Sequence, residues 1–563
     1  MRSTLIATFV SLASAATLKA GWYHCPALKG PSSLGLAAPP TTCAMFDVPL
    51  CYNGLCTSDK TIEVFVKRIE ATNVKGKPKS VWFLQGGPAM ASSLLDDYLA
   101  NFYNLTQGQV NVYTLDQRGV GRSTWLDCPA AGAASGGSIA GTTILPEELP
   151  ECLAEVRATY GNDTAAAFGT TAAAYDVQAL IELLNAKDDV YVYGVSYGSY
   201  FAHRLMQLAP PLVKGYVLDS VVTPGSALFS NWDVNNKPIG VCPASILVSQ
   251  SPGETFLDEC TADDTCSRNM DGQDTKALLA TILARPNGVV CGTLTAPIVS
   301  TILGGMLTNF VVPRALIPAV IHRLARCSAN DQVALGNLQT VFAAYGAMPP
   351  GFNAINRDES KLLYYDIVFS ELWERPSPSM AELAKRAADN LMGSAATPSF
   401  VPYYCIFSNS QDEACQGVVP PTHVPYLYAP DTFTSAPTTI IPATNSVLLL
   451  NGELDPQTTL VSANAMFNRL QGDQKLLLTF PAASHVVLDH SPVNTPGQVS
   501  CGWTLLTQYV IMDGDLSKLD LCCMDDLAEV SFDIPAAVAR QVLGTDDAFN
   551  GQATATTTTN VSA

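Results

Sequence analysis

The segment 190–205 restricts the fold of this chain more than any other stretch. It reads as an apolar strand, then the turn Gly194-Val195-Ser196-Tyr197-Gly198, then residues that can form a helix. A serine in a G-x-S-x-G turn of this kind stands on a sharp, strained bend, with its hydroxyl exposed at the end of a sheet. Glycines suit both ends of the turn because a strand and a helix this close together leave no room for a Cβ. The competing interpretation is an ordinary turn rich in glycine and serine.

Strands and helices alternate on either side of this turn. Runs of β-branched and aromatic residues predict strands at 61–69, 80–84, 110–115, 190–193, 216–218, 446–450 and 475–480. Apolar residues at helical spacing predict a helix over 177–184, with Thr170 or Thr171 as its N-cap. The alternation stops between about 225 and 442, where the pattern is mainly helical. This order predicts an α/β core with a mostly parallel sheet and a helical cap insertion.

The same pattern divides the chain into six predicted segments. They are a signal peptide at 1–16, a Cys-rich N-terminal segment at 17–60, an N-terminal core segment at 61–225, the cap insertion at 226–440, a C-terminal core segment at 441–540 and a tail at 541–563. The tail ends in a threonine-rich run and is predicted to be disordered.

The charge of the chain limits its partners. Fifty acidic and 31 basic residues give a formal net charge of −19. Such a surface repels nucleic acid and acidic membranes, so neither is an expected partner. Hydrophobic residues make up 48% of the 563, which is enough for a sizeable core.

The N-terminus has the plan of a secretory signal. Arg2 precedes a short apolar run, and Ala13-Ser14-Ala15 offers small residues for cleavage. That arrangement predicts export and an extracellular location. Neither this run nor any later one is long enough to span a bilayer, so no membrane anchor is expected.

The cysteines agree with export. The chain has 16, and an exported protein can keep disulfides that a cytosolic one usually cannot. No zinc-type C-x-x-C pairs occur, so bridges are expected rather than metal, in a pairing that spacing alone leaves open. The adjacent Cys522 and Cys523 are expected to have different partners. Glycosylation sequons begin at Asn104, Asn162 and Asn560.

A serine nucleophile needs a histidine base and a carboxylate that orients it. In folds with this turn the chain order is Ser, then Asp or Glu, then His. One late strand runs into a loop with Glu453 and Asp455, and the next runs into His485. Asp455 lies further into its loop and is preferred to Glu453, and His485 is preferred to His490 because it is nearer the strand end. Since parallel strands end at one edge, these groups are predicted to meet Ser196 there.

An oxyanion hole is predicted beside the serine. One donor is the backbone N–H of Tyr197, directly after Ser196. The second is assigned to Gly87 in Gln85-Gly86-Gly87-Pro88, because two glycines let backbone approach a substrate closely. The alternative for this segment is a tight turn. This chemistry requires no metal and no organic cofactor.

These motifs resemble, in order, those of the proline iminopeptidase and tripeptidyl aminopeptidase group of α/β-hydrolase serine peptidases. The matching stretches are Gln85-Gly86-Gly87-Pro88, Asp116-Gln117-Arg118-Gly119-Val120-Gly121-Arg122-Ser123, the Ser196 turn, Gly452-Glu453-Leu454-Asp455-Pro456 and His485. Cys501 and the stretch 43–50 are similar to the secreted tripeptidyl aminopeptidase branch. The chain departs from the pattern at Gln85, where a histidine is common, and at Pro88-Ala89-Met90, where glycines often continue.

The resemblance implies an α/β-hydrolase fold and release of residues or short peptides from free peptide N-termini. It also implies cap carboxylates that hold the substrate ammonium, for which Glu371 and Glu374 are the candidates. The alternative is that both are solvated helix residues. Asp116 and Arg118 are expected to form a structural ion pair.

The sequence therefore predicts a secreted serine aminopeptidase that acts on peptides. A carboxylesterase or lipase of the same fold is the first alternative, because one triad serves both reactions. A non-catalytic binding protein on this scaffold is the second.

Overall fold

A computed structural model gives the fold. It describes residues 16–25, 30–52, 54–128, 144–225, 229, 233, 251–309, 312–346, 359–393, 397–410, 412–418 and 425–555. The predicted signal peptide (apart from Ala16), Cys242 and the sequon at Asn560 lie outside these residues.

Fourteen strands occur in the described part of the chain. In order they are β1 (Thr17–Leu18), β2 (Tyr23–His24), β3 (Thr42–Pro49), β4 (Thr61–Ile69), β5 (Lys79–Leu84), β6 (Val110–Asp116), β7 (Asp189–Val195), β8 (Val213–Asp219), β9 (Val289–Cys291), β10 (Leu294–Thr295), β11 (Thr439–Ile440), β12 (Ser446–Gly452), β13 (Leu470–Gln471) and β14 (Lys475–Phe480). A strand lies at each predicted position, with ends shifted by three residues or fewer.

Ten of these strands form one mixed sheet. Its order is β1-β3-β4-β6-β5-β7-β8-β12-β14, with β2 also paired to β3. The β6-to-β14 half is parallel throughout, and the pairs of β4 with β3 and with β6 are antiparallel. Strands in the parallel half are near-continuous apolar runs because helices cover both faces. In β12, for example, every residue is buried.

The helices nearest the sheet are α1 (Asp96–Leu105), α2 (Leu149–Tyr160), α3 (Thr164–Phe168), α4 (Thr170–Leu184) and α5 (Tyr197–Leu208). Later helices span Pro252–Ala262, Asp264–Asn269, Thr275–Leu283, Ala296–Leu307, Ile317–Arg326, Ala329–Gly346, Lys361–Glu371, Met380–Ala388, Val401–Ser408, Thr432–Ser435, Leu460–Arg469, Val487–His490, Cys501–Ile511, Cys522–Asp525 and Ala536–Leu543. Side chains of α1 and Cys501–Ile511 pack on one face of the sheet, and those of α4 and α5 pack on the other.

The insertion contributes to two separate cores. Apolar side chains of 256–341 form a second core together with 530–553. Side chains of 362–372 and 401–407 instead join the main core beside α4 and α5. Residues after 530 therefore pack with the insertion, although the sequence assigned them to the C-terminal core segment and the tail.

A stretch of the predicted disordered tail is ordered. Arg323, buried in the insertion, donates to the carbonyls of Ala548 and Gly551 at 2.6 and 3.1 Å. Phe549 is also buried there. The prediction of disorder was wrong for 541–555 because a guanidinium group from a distant helix satisfies the backbone of this polar segment.

Two local predictions differ from the structure. Residues 42–49, within the predicted N-terminal loop segment, form the eight-residue strand β3. Helix α4 is capped by Gly169 rather than by Thr170 or Thr171, with no side-chain cap of its own. The backbone N–H of Thr170 instead donates to the Glu371 carboxylate at 3.1 Å. An acceptor from a separate helix thus replaces the local cap.

Seven disulfides form in the described part of the chain. They join Cys25–Cys43, Cys51–Cys56, Cys128–Cys152, Cys260–Cys266, Cys291–Cys327, Cys405–Cys415 and Cys501–Cys523. Cys522 is an exposed free thiol, so the expectation that both members of the adjacent pair are bridged was wrong. Cys523, not its neighbour, bridges Cys501. Across the described ranges, no helix has the length and apolar character needed to cross a membrane.

Candidate active site

Ser196 stands on a strained elbow between β7 and α5. Its φ of 57° and ψ of −128° lie in a region that residues with side chains rarely adopt. A Cβ on Gly194 would lie 2.1 Å from the carbonyl oxygen of Gly198, and a Cβ on Gly198 would lie 2.1 Å from that of Leu84. Both glycines are therefore required by close backbone packing. The serine itself is half-buried, which leaves it accessible.

Asp455 and His485 are in direct contact. The two residues follow β12 and β14, and 2.8 Å separates Oδ2 of Asp455 from Nδ1 of His485. Their side chains are 0% and 5% exposed. The other carboxylate oxygen accepts from the N–H groups of Gln457 and Thr458, each at 2.8 Å. Thr458 Oγ1 also donates to Oδ2 at 2.6 Å.

These contacts keep Asp455 ionised. Burial alone would raise the pKa of its carboxyl, but His485 and the hydrogen bonds from Thr458 outweigh burial and lower the pKa below its usual value. A carboxylate on Nδ1 selects the imidazole tautomer that carries its proton there, which leaves Nε2 as a base.

The elbow and the histidine loop meet at the end of β8. The Ser196 N–H donates to the carbonyl of Asp219 at 2.9 Å. The Asp219 carboxylate accepts from Val487 N–H at 2.9 Å, and Ser220 Oγ accepts from Val486 N–H at 2.7 Å. Two residues therefore hold the backbone of Ser196 and that of the residues after His485 at one rim of the sheet.

The Ser196 hydroxyl forms no hydrogen bond within the described part of the chain. The hydrogen bond to His485 that the triad prediction requires is thus not formed in this structure. Contacts of this kind are often long without substrate and tighten when it binds.

The predicted oxyanion donors lie beside the serine. A Cβ on Gly86 would lie 3.0 Å from Ser196 Cβ and 3.5 Å from its Oγ, so this loop passes directly over the nucleophile. The Gly86 N–H is taken by the side chain of Gln85 at 2.9 Å. Gly87 follows with φ of +119°, a conformation that favours glycine. The Tyr197 N–H is the first of α5 and has no acceptor within that helix.

Glu371 is buried in a polar network rather than solvated. Its carboxylate accepts from Tyr200 Oη at 2.6 Å, Arg204 Nη2 at 3.1 Å and the Thr170 N–H at 3.1 Å. The Tyr428 hydroxyl also donates to it. A substrate ammonium would have to displace these partners to reach this carboxylate.

Glu374 lies in the loop three residues after the helix Lys361–Glu371 ends and is paired with Arg386, whose Nη1 is 2.6 Å from its carboxylate. The pair is partly exposed. The two glutamates predicted as one substrate-binding set therefore stand in different surroundings.

The prediction that Asp116 and Arg118 form an ion pair with each other was wrong. Arg118 binds Asp176, with 2.6 Å between Nη2 and Oδ1 and both side chains buried. Asp116 accepts from the backbone N–H groups of Ser92 and Arg122, each at 2.8 Å. Asp116 and Arg118 therefore hold the loop after β6 through separate partners.

The sequence analysis did not identify Thr458 and Asp219, which hold the site, and it named Gln85 without giving its side chain a role. Each lies at the end of a predicted strand or three residues past a predicted site residue. Polar residues at the ends of apolar strands, such as Asp219-Ser220 at the end of β8, were the available signal.

Comparison with known proteins agrees with this architecture. Residues 79–240 match the family model described as alpha/beta hydrolase fold. No curated protein matches the chain in sequence.

Similar solved structures include three enzymes of different activity. A proline iminopeptidase from Mycobacterium smegmatis is 14% identical, covering 82% of this chain and 99% of its own, with a TM-score of 0.32. A monoacylglycerol lipase from Paleococcus ferrophilus is 11% identical over 80% and 99%, with a TM-score of 0.30. An esterase from Exiguobacterium antarcticum is 12% identical over 76% and 89%, with a TM-score of 0.24. These likenesses carry no argument about substrate. The family match, with the mostly parallel sheet and the strand–elbow–helix unit, shows that the chain has the α/β-hydrolase fold.

Proposed function

We propose that this chain is a serine hydrolase in which Ser196, His485 and Asp455 form the catalytic triad. The observation that carries the proposal is the buried 2.8 Å contact between Asp455 and His485, at the rim where Ser196 stands on its elbow. A buried carboxylate on imidazole Nδ1 is the arrangement that makes the far nitrogen a base.

In the proposed reaction, Ser196 Oγ attacks a substrate carbonyl carbon while His485 Nε2 takes the hydroxyl proton. The carbonyl oxygen becomes an oxyanion held by the N–H groups of Gly87 and Tyr197. Collapse breaks the bond to the leaving group, which receives the proton from His485, and an acyl-serine remains. Water then attacks the acyl carbon by the same proton route and releases the acid product.

For substrate, we propose peptides with a free N-terminus, from which the enzyme releases short peptides or residues. Support comes from the motifs that occur in the same order in aminopeptidases. They include the Asp116–Ser123 run, which begins at the last residue of β6. A carboxylesterase uses the same triad, so the choice of substrate rests on these motifs.

Export belongs to the proposal as well. The signal-like N-terminus and the seven disulfides support it. N-terminal sequencing of the protein from the medium is expected to begin close to Thr17, whose strand β1 pairs with β3. A product retained inside the cell with its first residues intact would contradict export.

Labelling by a fluorophosphonate tests the triad. Wild-type protein and the matched serine variant Ser379→Ala, altered at a helix cap in the insertion, are expected to be labelled. Ser196→Ala should lose all labelling, and His485→Ala should lose nearly all. If Ser196→Ala is labelled like wild type, the assignment is wrong.

A pair of peptides tests the substrate. One decapeptide carries a free N-terminus and its twin is acetylated, and products are identified by mass spectrometry. Cleavage near the N-terminus of the free peptide alone is expected. Equal cleavage of both peptides, or turnover of acyl esters only, would favour an endopeptidase or an esterase instead.

A further inference from the structure

The first turn of the helix Lys361–Glu371 is attached to the segment 85–90, which contains Gly87 and is called the oxyanion loop below. Ser360, its N-cap, donates its backbone N–H to the carbonyl of Ala89 at 3.1 Å. The adjoining residues Met90 and Glu359 form an antiparallel bridge. Ala89 is two residues after Gly87, so the insertion contacts the oxyanion loop directly.

The Ser360 side chain extends this attachment. Its Oγ accepts from the Leu363 N–H at 3.1 Å as the helix cap, and donates to the carbonyl of Leu126 at 2.6 Å. Ser360 is only 2% exposed. One residue thus joins the helix, the oxyanion loop and the segment after β6.

The other end of the same helix is attached to α5, the helix that follows Ser196. Glu371, its last residue, accepts from Tyr200 and Arg204 of α5. It also accepts from the N–H of Thr170, whose Oγ1 lies 2.9 Å from Tyr197 Oη. Tyr197, at the start of α5, supplies the predicted oxyanion donor other than Gly87.

We propose that the helix Lys361–Glu371 is a strut that sets the separation of the two oxyanion donors, with Ser360 and Glu371 as positioning residues. Eleven residues of α-helix span about 16 Å, a rigid length compared with the loops it joins. The inference rests on the proposed function, because the proposed reaction gives Gly87 and Tyr197 their role as oxyanion donors.

The oxyanion loop needs such external support. Ala89 has φ of +67° and Gly87 has φ of +119°. A non-glycine residue in the left-handed region is strained, and such a conformation persists only where its surroundings hold it. Oxyanion donors act only when they lie within hydrogen-bonding distance of the developing charge, so a displaced loop lowers the rate.

The insertion also supplies the negative charge for buried Arg204. The side chains of Arg204 and Glu371 are 1% and 0% exposed. Arg204 Nη1 also lies 3.6 Å from Asp431 Oδ2, so loss of the Glu371 charge leaves the buried guanidinium only partly compensated, which moves or disorders its element. Glu371→Gln is therefore expected to shift α5 and, with it, the Tyr197 N–H.

Kinetics of the full-length protein test the strut. Ser360→Ala and Glu371→Gln are each expected to lower kcat by roughly tenfold to a hundredfold, since a displacement of about 1 Å costs on that order. KM should change by no more than about twofold, because the donors act on the transition state. Ser360→Thr keeps the hydroxyl and should recover most of kcat.

Two control variants remove comparable interactions elsewhere. Ser379→Ala deletes the N-cap of Met380–Ala388, which accepts from the Glu382 N–H at 3.1 Å. Asp331→Asn alters a buried carboxylate bound by Arg323 at 3.1 Å and Arg326 at 2.7 Å in the second core. Both should lower thermal stability and leave kcat near wild type. If they lower kcat as much as the strut variants do, or if the strut variants lose stability alone, the strut is refuted.

The fluorophosphonate reaction separates this inference from the proposed function. If the wild type is not labelled, the proposed function fails. If the wild type is labelled and Ser360→Ala reacts at the same rate as it does, only the strut fails. The Ser360 pair decides the matter even if Glu371→Gln does not fold.

Discussion

His203 makes the stability of this protein sensitive to acid. The imidazole lies on α5 one turn beyond Tyr200, is fully buried, and has Nε2 2.8 Å from Thr439 Oγ1. Burial, with Arg204 and Arg469 nearby, lowers the pKa of His203 from 6.5 to about 3. The folded protein therefore keeps this side chain neutral over a range in which the unfolded chain takes up a proton.

The size of the effect follows from the two pKa values. Because the folded pKa is depressed, the stabilisation is complete above the unfolded pKa of 6.5 and is lost as the pH falls toward about 3. The unfolded chain binds more protons in this interval, so the free energy of unfolding decreases as the pH is lowered. Between neutral pH and about pH 5, the loss from His203 alone is about 2 kcal/mol, at 1.36 kcal/mol per pKa unit.

His203→Gln tests this reasoning, since glutamine can still bond Thr439 and does not titrate. Urea unfolding with disulfides intact, at about pH 7.5 and about pH 5, gives the free energy of unfolding of each protein. The loss on acidification should be smaller in the variant by about 2 kcal/mol. His24→Gln, on the exposed strand β2, is the control and should behave as wild type. An equal loss in wild type and His203→Gln would refute the argument.

Three further predictions concern the site and the surface. Asp455→Asn should lower kcat by about 10⁴-fold because it removes the carboxylate that selects the imidazole tautomer, whereas Glu453→Gln should stay within a few-fold in the same steady-state assay; equal losses would contradict the choice between these acids. Gly198→Ala should abolish fluorophosphonate labelling and lower the melting temperature, because its Cβ would lie 2.1 Å from a strand carbonyl; unchanged labelling would contradict the packing. In a glycosylating host, peptide mapping should find a glycan on the exposed Asn162 but not on Asn104, whose Nδ2 donates to two carbonyls at 2.8 and 2.9 Å; a glycan on Asn104 alone would contradict this.

Much of the fold could be predicted because its signals are local. Strand positions follow from apolar runs such as β12. The elbow follows from its glycines, because a Cβ at either position would overlap with nearby backbone. The contact between Asp455 and His485 also follows, because parallel strands bring their ends to one edge. The catalytic role of these residues remains a proposal.

Other features of the site could not be predicted, because partners distant in sequence decide them. Glu371 and Glu374 are three residues apart and chemically alike, yet one is fully buried against α5 and the other pairs with Arg386 near solvent. The helix ends at Glu371, and the sequence pattern shows neither that end nor the contact of Glu371 with α5. Thr458 likewise gains its role only when the Asp455 loop folds back on itself.

The sequence by itself determined the α/β alternation, the serine elbow and the order of serine, acid and base, because chain sterics and side-chain periodicity act over a few residues. Only the tertiary structure decided that 541–555 pack on the insertion, that Cys523 rather than Cys522 bridges Cys501, and that one helix joins the 85–90 segment to α5. Those outcomes depend on contacts between residues that are far apart in sequence. A buried polar group without a hydrogen-bonding partner destabilises the fold, so distant partners decide which polar groups can be buried.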